Sequence, residues 1–377
     1  MAAHKPWKKP VVLLLGPQLG AVSGVSTHLE ILLRSQLAAD FNLAHFTVGS
    51  EGRAEGRLHR WWRLACSPFA LAAAIRARRP AIVHLNSSLN LSAFWRDAAY
   101  MVVARLCGTR VLYQVHGGDL PRDFLGGGRV ARALLRGVLR LPDAIVVLAA
   151  TELAAYREFL PGSCIRLIAN AIDCAPLLSL PRTPRAAHQA LRLIYLGRLI
   201  REKGLYELLQ GLADARARGT AAQLTLVGSG PEEAGLRRRA LELGLGAVVS
   251  FAGAAFGAEK QRLLGAADVF VLPSYAEGLP YALLEGMAAG NAVITTRVGG
   301  IPDVAIAGEH ALFIPPRDTQ AIAAAIVNLD ADGAGLARMG QACRNRIARH
   351  YCPERLVHEF GELYSDLRQD AGKTCAA

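Results

Sequence analysis

Short apolar runs recur along the first half of the chain, and each precedes a longer stretch with helical spacing. These runs begin at residues 11, 42, 81, 110, 144 and 165. Continuous Val, Ile and Leu runs are typical of parallel strands whose two faces are covered by helices. The alternation therefore predicts an α/β domain with a doubly wound sheet.

Residues 177–190 interrupt this alternation. The segment has two prolines and no clear hydrophobic periodicity, which is typical of a linker. Six further runs follow it, at residues 191, 223, 247, 269, 292 and 311. A chain of 377 residues is long enough for two cores. We therefore expect two Rossmann-like domains, residues 1–183 and 184–358, and a C-terminal helix at 359–377 that packs back on the first domain. Ligands of such sheets bind outside the carboxyl ends of the strands, where functional residues are expected.

Composition and charge narrow the class of protein. An apolar share of 52% with 20% charged residues indicates a folded globular chain. The net charge of +12 is confined to residues 1–186, which hold 23 basic and 11 acidic groups, whereas the remaining residues hold 20 of each. A positive electrostatic field confined to one half of the chain suits an anionic partner, such as a phosphate-bearing acceptor, an acidic membrane surface or nucleic acid. The alternative is a solvated face in an arginine-rich protein, since 20 of these 23 basic residues are Arg.

The cysteine spacing and the N-terminal segment indicate the cellular compartment of the protein. The seven cysteines form no CxxC pair and are odd in number, so they indicate neither a disulfide framework nor a zinc site. A reducing cytoplasm fits this pattern. The first twenty residues imitate a secretory signal, but the strongly apolar part, residues 11–15, is too short and ends in a glycine loop. No segment reaches the ~20 apolar residues of a membrane-spanning helix.

Two glycine-containing loops in the second half carry residues suited to a nucleotide. GRLIREKG places Arg198 and Lys203 where a helix is about to begin, and cations beside free backbone N–H groups suit a diphosphate. The alternative is that both are surface charges, with Gly204 as a loop residue. GSGPEE offers a glycine turn at Gly228 for a close backbone approach, but Glu233 stands where GxGxxG has its last glycine, which disfavours a nicotinamide cofactor.

The segment AEGLPYALLEGMAAG holds two glutamates eight positions apart. Pro280 fits the first position of a helix that ends at Gly290, so Glu277 lies in the preceding loop and Glu285 lies a turn into the helix. Carboxylates at two depths of one crevice suit a ligand rich in hydroxyl groups. Taken singly, either glutamate could be a solvated side chain.

GRLIREKG, GSGPEE, EGLPYALLE and TTRVGGIPDV resemble, in order and spacing, the C-terminal half of family 4 glycosyltransferases. The E-x7-E element, Glu277 and Glu285, is the most specific mark of that family. The resemblance implies the GT-B architecture, in which two Rossmann-like doubly wound domains face each other across a cleft. It also implies a UDP- or GDP-linked sugar donor in the second domain and the acceptor in the first.

The first half carries weaker matches to the same family. The loop after the first strand resembles the family's glycine loop, although Ser23-Gly24 replaces the common double glycine. His116-Gly117-Gly118-Asp119 is similar to the HG motif, whose histidine contacts the transferred sugar. ANAID at residues 169–173 resembles the NGID turn, with Ala171 in place of glycine. The resemblance assigns Gly20, Ser23, Gly24 and Asp119 to the acceptor-side loop.

Carried over to this sequence, the family's catalytic residues are His116, Glu277, Arg198 and Lys203. Arg198 and Lys203 would stabilise the departing diphosphate in place of a metal ion. The donor would also contact Gly228, Glu277, Gly278, Leu279 and Glu285, with Glu285 accepting from the ribose. We expect no metal cofactor, because Asp330-Ala331-Asp332 follows a helical run and not a strand.

The family retains anomeric configuration, which implies same-face attack with the departing phosphate taking the acceptor proton. We expect a retaining hexosyltransferase that acts on a glycan or lipid-linked glycan acceptor in cell-surface polysaccharide or lipopolysaccharide assembly. It would act in the cytoplasm, on the inner membrane face. HRWWRLACSPF, residues 59–69, suits an anionic headgroup layer, although Trp61 or Trp62 could instead pack in the core.

Two rival functions stay open. A nucleotide-sugar epimerase could use the same architecture. A basic nucleic-acid-binding protein would share the net charge, but zinc spacing, an RNA-binding sheet signature and an isolated helix-turn-helix are all absent from the sequence. We therefore expect no nucleic-acid partner.

Overall fold

The computed structural model describes residues 9–21, 23–49, 56–182, 185–186 and 189–369. The chain forms two compact units. Unit 1 comprises the chain up to Asn170 and the segment that begins at Pro353. Unit 2 comprises Ala171–Cys352.

The strands are β1 (Val11–Gly16), β2 (Asn42–Thr47), β3 (Ile82–Leu89), β4 (Arg110–Gly118), β5 (Ala144–Val147), β6 (Ile165–Leu167), β7 (Leu191–Leu196), β8 (Ala222–Val227), β9 (Val249–Gly253), β10 (Val269–Leu272), β11 (Ala292–Thr296) and β12 (Ala311–Ile314). The α-helices are α1 (Gly24–Arg34), α2 (Leu37–Asp40), α3 (Arg57–Arg78), α4 (Leu91–Leu106), α5 (Arg129–Leu139), α6 (Ala150–Phe159), α7 (Ala175–Leu178), α8 (Leu205–Ala217), α9 (Glu233–Glu242), α10 (Gly257–Ala266), α11 (Tyr281–Ala288), α12 (Ile301–Val304), α13 (Thr319–Ala331), α14 (Gly333–His350) and α15 (Pro353–Gln369).

Unit 1 is built on one parallel sheet with the strand order β2-β1-β3-β4-β5-β6. Each strand corresponds to one of the apolar runs in the first half of the sequence, so the predicted doubly wound sheet is confirmed. The chain builds the sheet outward from β1 in two directions. The crevice between β1 and β3 is therefore the topological switch point, the place where ligands of such sheets bind.

Unit 2 repeats this plan with the strand order β12-β11-β10-β7-β8-β9, again entirely parallel. Its six strands match the six apolar runs of the second half, which confirms that prediction as well. The sheet grows from β7 toward β8 on one side and toward β10 on the other. The switch point of unit 2 consequently lies between β7 and β10.

The C-terminal helix α15 belongs to unit 1. The Tyr364 hydroxyl lies 2.8 Å from Nδ1 of the buried His84, and the Phe360 ring packs against the same imidazole. The sequence pattern placed the boundaries at 183/184 and 358/359, whereas the contacts place them at 170/171 and 352/353. One reason is that Arg182 donates to the carbonyl oxygens of Gly265 and Ala267 in unit 2.

A disulfide joins Cys174 and Cys352, whose Cα atoms lie 5.6 Å apart although 178 positions separate them in the sequence. The cysteine spacing indicated no disulfide framework, and that interpretation was wrong for this pair. Local spacing carries no information about it, because only the folding of unit 2 brings its two ends together.

Helix α11 packs tightly on strand β10. A Cβ atom built on Gly286 would lie 2.6 Å from Cγ of Phe270, closer than real side chains approach each other. The helix can rest at this depth only because residue 286 has no side chain. This packing matters for the site, since Glu285 lies on the same helix.

We expect Gly286→Ala to lower the free energy of unfolding by about 1–3 kcal/mol, because the added methyl group overpacks the β10 face. The matched control is Gly137→Ala in the interior of α5, where a Cβ meets nothing within 4 Å. That change should stabilise the protein by about 0.5–1 kcal/mol, since alanine is the better helix former. Urea unfolding followed by far-UV circular dichroism measures both. A Gly286→Ala protein as stable as the wild type would contradict this packing.

Candidate active site

Lys203 and Glu277 meet at the switch point of unit 2. Lys203 closes the single 3₁₀ turn after β7, and Glu277 lies in the loop after β10. The lysine Nζ donates to the glutamate Oε1 at 2.5 Å, and the two side chains are only 17% and 8% exposed. Two residues that the sequence singled out separately, 74 positions apart, thus form one ion pair.

Glycine at position 204 allows these two loops to approach each other. Gly204 has a φ of +67°, and a Cβ atom there would overlap the carbonyl oxygen of Pro273. Beside this contact, the Tyr275 backbone N–H donates to the Glu202 carbonyl at 2.9 Å. The backbone contact between the loops therefore brings Lys203 to Glu277.

Two further loops support the same edge of the sheet. Gly228, in the predicted glycine turn, has a φ of +143°, and a Cβ there would overlap the Gly197 carbonyl oxygen. The TTRVGG loop contributes the Gly300 N–H, which donates to the Gly278 carbonyl at 2.7 Å, and Gly299, which leaves room for the Glu277 carbonyl. Loops following β7, β8, β10 and β11 therefore carry all four motif segments of the second half.

Glu285 lies one turn into α11 and accepts a hydrogen bond from Lys260 of α10 at 2.6 Å. Burial raises the pKa of the Glu285 carboxyl, and the Lys260 charge opposes that rise. Sequence reasoning missed Lys260, which precedes Glu285 by 25 positions on a different helix and belongs to no local motif.

Arg198 is exposed, and no ion pair of its side chain is found among the described residues. Its carbonyl oxygen accepts from the Tyr195 hydroxyl at 2.7 Å. Burial raises the pKa of Tyr195, and the nearby Glu277 charge adds to the rise. Leu279 is buried, and α11 begins at Tyr281, one position later than the sequence pattern placed it.

In unit 1, His116 lies near the end of β4 beside the switch point. Its Nε2 lies 3.0 Å from Asn86 Oδ1, while the Asn86 amide nitrogen faces the His84 carbonyl. This orientation of the amide assigns the proton to Nε2. Nδ1 then carries a lone pair, and it is buried without a hydrogen-bond partner among the described residues.

Three histidines of unit 1 cluster together. The rings of His28 and His116 lie 4.8 Å apart, and Nε2 of His84 is 3.0 Å from the Gln114 Oε1. Burial lowers the pKa of His28 and of His84 to about 3, and it lowers the pKa of His116 well below its ordinary value. All three imidazoles are therefore neutral near pH 7.

The predicted acceptor-side loop lies at the end of β1. Gly20 has a φ of +80°, and its N–H donates to the Glu30 carboxylate at 2.8 Å. Ser23 caps α1, whose first residue is Gly24. Asp119 is exposed at the end of β4, and its N–H bonds the Leu89 carbonyl.

The Asp330-Ala331-Asp332 segment lies at a helix end, as its sequence indicated. Asp330 binds Arg185 at 2.7 Å, and Asp332 caps α14. Within the described ranges, no group of three or more His, Cys, Asp or Glu side chains is arranged to hold a metal ion.

Family models match both halves of the chain. Residues 22–176 match the model described as Glycosyltransferase Family 4, and residues 190–332 match the model described as Glycosyl transferases group 1. The chain belongs to glycosyltransferase family 4. The resemblance carried by the motifs is confirmed, and the chain is a glycosyltransferase.

Relatives of this glycosyltransferase extend over most of its length. The glycogen synthase of Mycobacterium tuberculosis is 28% identical over 346 residues, which cover 87% of this chain and 79% of that protein. Among solved structures, sucrose-phosphate synthase from Thermosynechococcus elongatus has a TM-score of 0.77 at 22% identity, covering 96% of this chain and all of the other. Anabaena HepE in complex with UDP-glucose has a TM-score of 0.72 at 16% identity, covering 94% of this chain and 99% of its own. These likenesses confirm the GT-B fold.

The histidine cluster predicts how stability depends on pH. Each buried imidazole stays neutral in the folded protein but takes up a proton on unfolding below about pH 6.5, so the free energy of unfolding falls as the pH falls. For His28 and His84 the loss is about 1.4 kcal/mol per pH unit, down to their pKa of about 3. All four tryptophans, at positions 7, 61, 62 and 95, precede unit 2, so their fluorescence during urea unfolding reports unit 1.

A comparison of variants separates the effect of one buried histidine on the unfolding free energy from the effect of the carboxylates. His28→Leu should reduce the pH slope of the unfolding free energy by about 1.4 kcal/mol per unit between pH 6 and 4. His59→Gln, at an exposed position of α3, should leave the slope unchanged. Equal slopes for His28→Leu and the wild type would contradict a neutral, buried His28.

Proposed function

We propose that this glycosyltransferase moves a hexose from a UDP- or GDP-linked donor to a glycan or lipid-linked glycan acceptor, with retention at the anomeric carbon. The process would be the assembly of cell-surface polysaccharide or lipopolysaccharide. The observation that carries the proposal is the Lys203–Glu277 pair at the switch point of unit 2, a short turn away from the exposed Arg198. The similar fold of HepE, solved with UDP-glucose, supports a nucleotide-sugar donor.

The diphosphate of the donor would lie against Arg198 and Lys203. Negative charge grows on the diphosphate as the sugar–phosphate bond breaks, and preorganised cations stabilise that charge. Glu277 holds the Lys203 ammonium in the loop before the ligand arrives. We infer that these side chains fill the role that a metal ion plays at other phosphate-transfer sites.

Each of the two glutamates would accept hydrogen bonds from a different part of the donor. Glu277, beside Gly278, accepts from the sugar hydroxyls, while Glu285 accepts from the ribose. Burial raises the pKa of Glu285, and the Lys260 ammonium opposes that rise and so favours the ionised form that accepts hydrogen bonds. An acceptor-only carboxylate binds hydroxyl donors more strongly than a neutral group does.

The reaction we propose is a same-face substitution. The acceptor oxygen forms its bond to the anomeric carbon on the side from which the diphosphate departs, and the acceptor proton passes to the departing phosphate oxygen. The nucleoside diphosphate then leaves with the bonding electron pair. His116 is neutral, and it would lie beside the transferred sugar, as the likeness to the HG motif implies.

Lys203→Ala should lower the transfer rate by about 10²–10³-fold, because one preorganised cation at the departing diphosphate is lost. The same variant should lose most of the rise in melting temperature that UDP or GDP gives the wild type. Glu277→Ala should also abolish transfer while the far-UV circular dichroism spectrum is retained. Product formation from a panel of nucleotide sugars measures the rates.

The matched control is Arg237→Ala, which breaks the exposed pair with Glu233 on α9 of the same unit. It should transfer sugar and bind nucleotide like the wild type. A Lys203→Ala enzyme with wild-type rates would remove the assignment of the donor site.

We also infer that unit 1 attaches to an anionic membrane surface. Trp62 and Phe69 of α3 are 72% and 78% exposed and lie on one helical face, seven positions apart. Leu91 of the adjacent α4 is also exposed. This exposure contradicts the alternative that Trp62 packs in the core, while the Trp61 side chain lies outside the described part. Aromatic side chains beside an excess of arginine suit a headgroup layer. In the described part of the chain, no helix is long and apolar enough to cross a bilayer.

Flotation with vesicles containing anionic phosphatidylglycerol tests this attachment. The wild type should float at low salt and float less at high salt, because the arginine contribution is screened. The double variant Trp62→Ser with Phe69→Ser should stay at the bottom of the gradient. Leu241→Ser, at a similarly exposed apolar position of unit 2, should float like the wild type. Wild-type protein that stays at the bottom at low salt would defeat the inference.

A further inference from the structure

A cavity of about 660 Å³ lies within unit 1, beside the predicted glycine loop. Its lining includes Pro17 and Gly49, which follow β1 and β2, and Asn86 in the second half of β3. Residues of α3 and α4 form the other walls. The cavity therefore lies at the switch point of this sheet, and Asn86, which bonds His116, lines it.

Arg96 of α4 is held rigidly in the cavity wall. Its Nε donates to Asp97 Oδ1 at 2.8 Å, and its Nη2 donates to Ser87 Oγ at 2.9 Å. The remaining nitrogen, Nη1, lies 3.2 Å from the point that a Cβ on Gly49 would occupy, and Gly49 itself lines the cavity. Nη1 therefore packs beside Gly49, where a side chain on residue 49 would crowd it.

Burial raises the pKa of the Tyr100 hydroxyl at this wall, Asp97 adds to the rise, and Arg96 and Arg63 oppose it. Helix α4 begins beside the cavity, because its N-cap residue Asn90 lines it. The N-terminus of a helix of 16 residues adds partial positive charge at the same place.

Another part of the cavity wall is apolar. Leu64 and Pro68 of α3 and Trp95 of α4 give the cavity an apolar wall. Trp95 is 56% exposed, so its indole has a free surface. An indole face packs well against the C–H groups of a sugar ring, whereas a fixed guanidinium suits a phosphate or carboxylate.

We propose that this cavity binds the acceptor through an anionic group, a phosphate or a carboxylate, carried by the sugar that receives the transferred hexose. Arg96 contacts the anion through Nη1, and Trp95 packs on the sugar ring. The proposal rests on the proposed function, because it concerns the second substrate of the same reaction. It adds the residues that select the acceptor and the chemical class that they select.

Three sugars that differ only at carbon 6 test it: glucose, glucuronic acid and glucose 6-phosphate. NMR titration of the full chain with each sugar gives three dissociation constants. The wild type should bind at least one of the two anionic sugars about ten-fold more tightly than glucose, since a charge-assisted hydrogen bond is stronger than a neutral one. The tighter of the two identifies a carboxylate or a phosphate as the anion. Equal affinity for all three sugars would overturn the proposal without the need for any variant.

The variant Arg96→Gln alone leaves the buried Asp97 unpaired and can fail to fold. The double variant Arg96→Gln with Asp97→Asn removes both charges together and avoids this problem. It should bind the three sugars equally, whereas Arg78→Gln, at an exposed position in the last turn of α3, should keep the preference. A preference that survives in the double variant, or disappears equally in Arg78→Gln, would overturn the assignment of Arg96.

Nucleotide binding on the same preparations separates this proposal from the proposed function. A rise in melting temperature with UDP or GDP, without any preference for anionic sugars, defeats only the acceptor site. Anionic sugars bound without any response to nucleotides would support the cavity and defeat the glycosyl donor site.

Discussion

The site in unit 2 depends on how closely backbones can approach one another at the carboxyl edge of a parallel sheet. Gly204, Gly228 and Gly299 each leave a gap that a neighbouring carbonyl oxygen fills. A side chain at any of them would push one loop away from the next. Because the loops after β7 and β10 touch, a lysine from one and a glutamate from the other form an ion pair at 2.5 Å.

Both units use the same geometric feature for different chemistry. Each sheet grows in two directions from its first strand, so each has one switch point at which strand ends leave a crevice. Unit 2 places a cation, Lys203, and a carboxylate, Glu277, there. Unit 1 places a neutral histidine, His116, and a cavity with a fixed guanidinium, Arg96. The same topology thus supports a lysine–glutamate ion pair in unit 2 and a neutral imidazole near a fixed guanidinium in unit 1.

The strands could be predicted from sequence because burial on both faces leaves a local mark, a continuous apolar run. The motif residues could be found for the same reason, since they follow those runs at short distances. Lys260, Asn86 and Arg96 were missed because their roles depend on partners from other elements. The Lys260–Glu285 pair spans two helices, and Arg96 points to a loop that follows another strand.

The domain boundaries and the disulfide also depend on contacts between distant parts of the sequence, which local patterns do not predict. Proline composition indicated a linker, but Arg182 ties part of that segment to unit 2 through two carbonyl oxygens. Cys174 and Cys352 lie 178 positions apart, and no local pattern relates them. Sequence patterns therefore predicted which elements form, while long-range contacts determine which unit each connecting segment joins.

The most direct test of the account is a crystal structure of the protein with bound UDP or GDP. It should show β-phosphate oxygens within about 3 Å of the Lys203 Nζ, a charge-assisted hydrogen bond, with Glu277 still adjacent. A nucleotide bound away from the β7 and β10 loops, with Lys203 contacting only Glu277, would contradict the central claim.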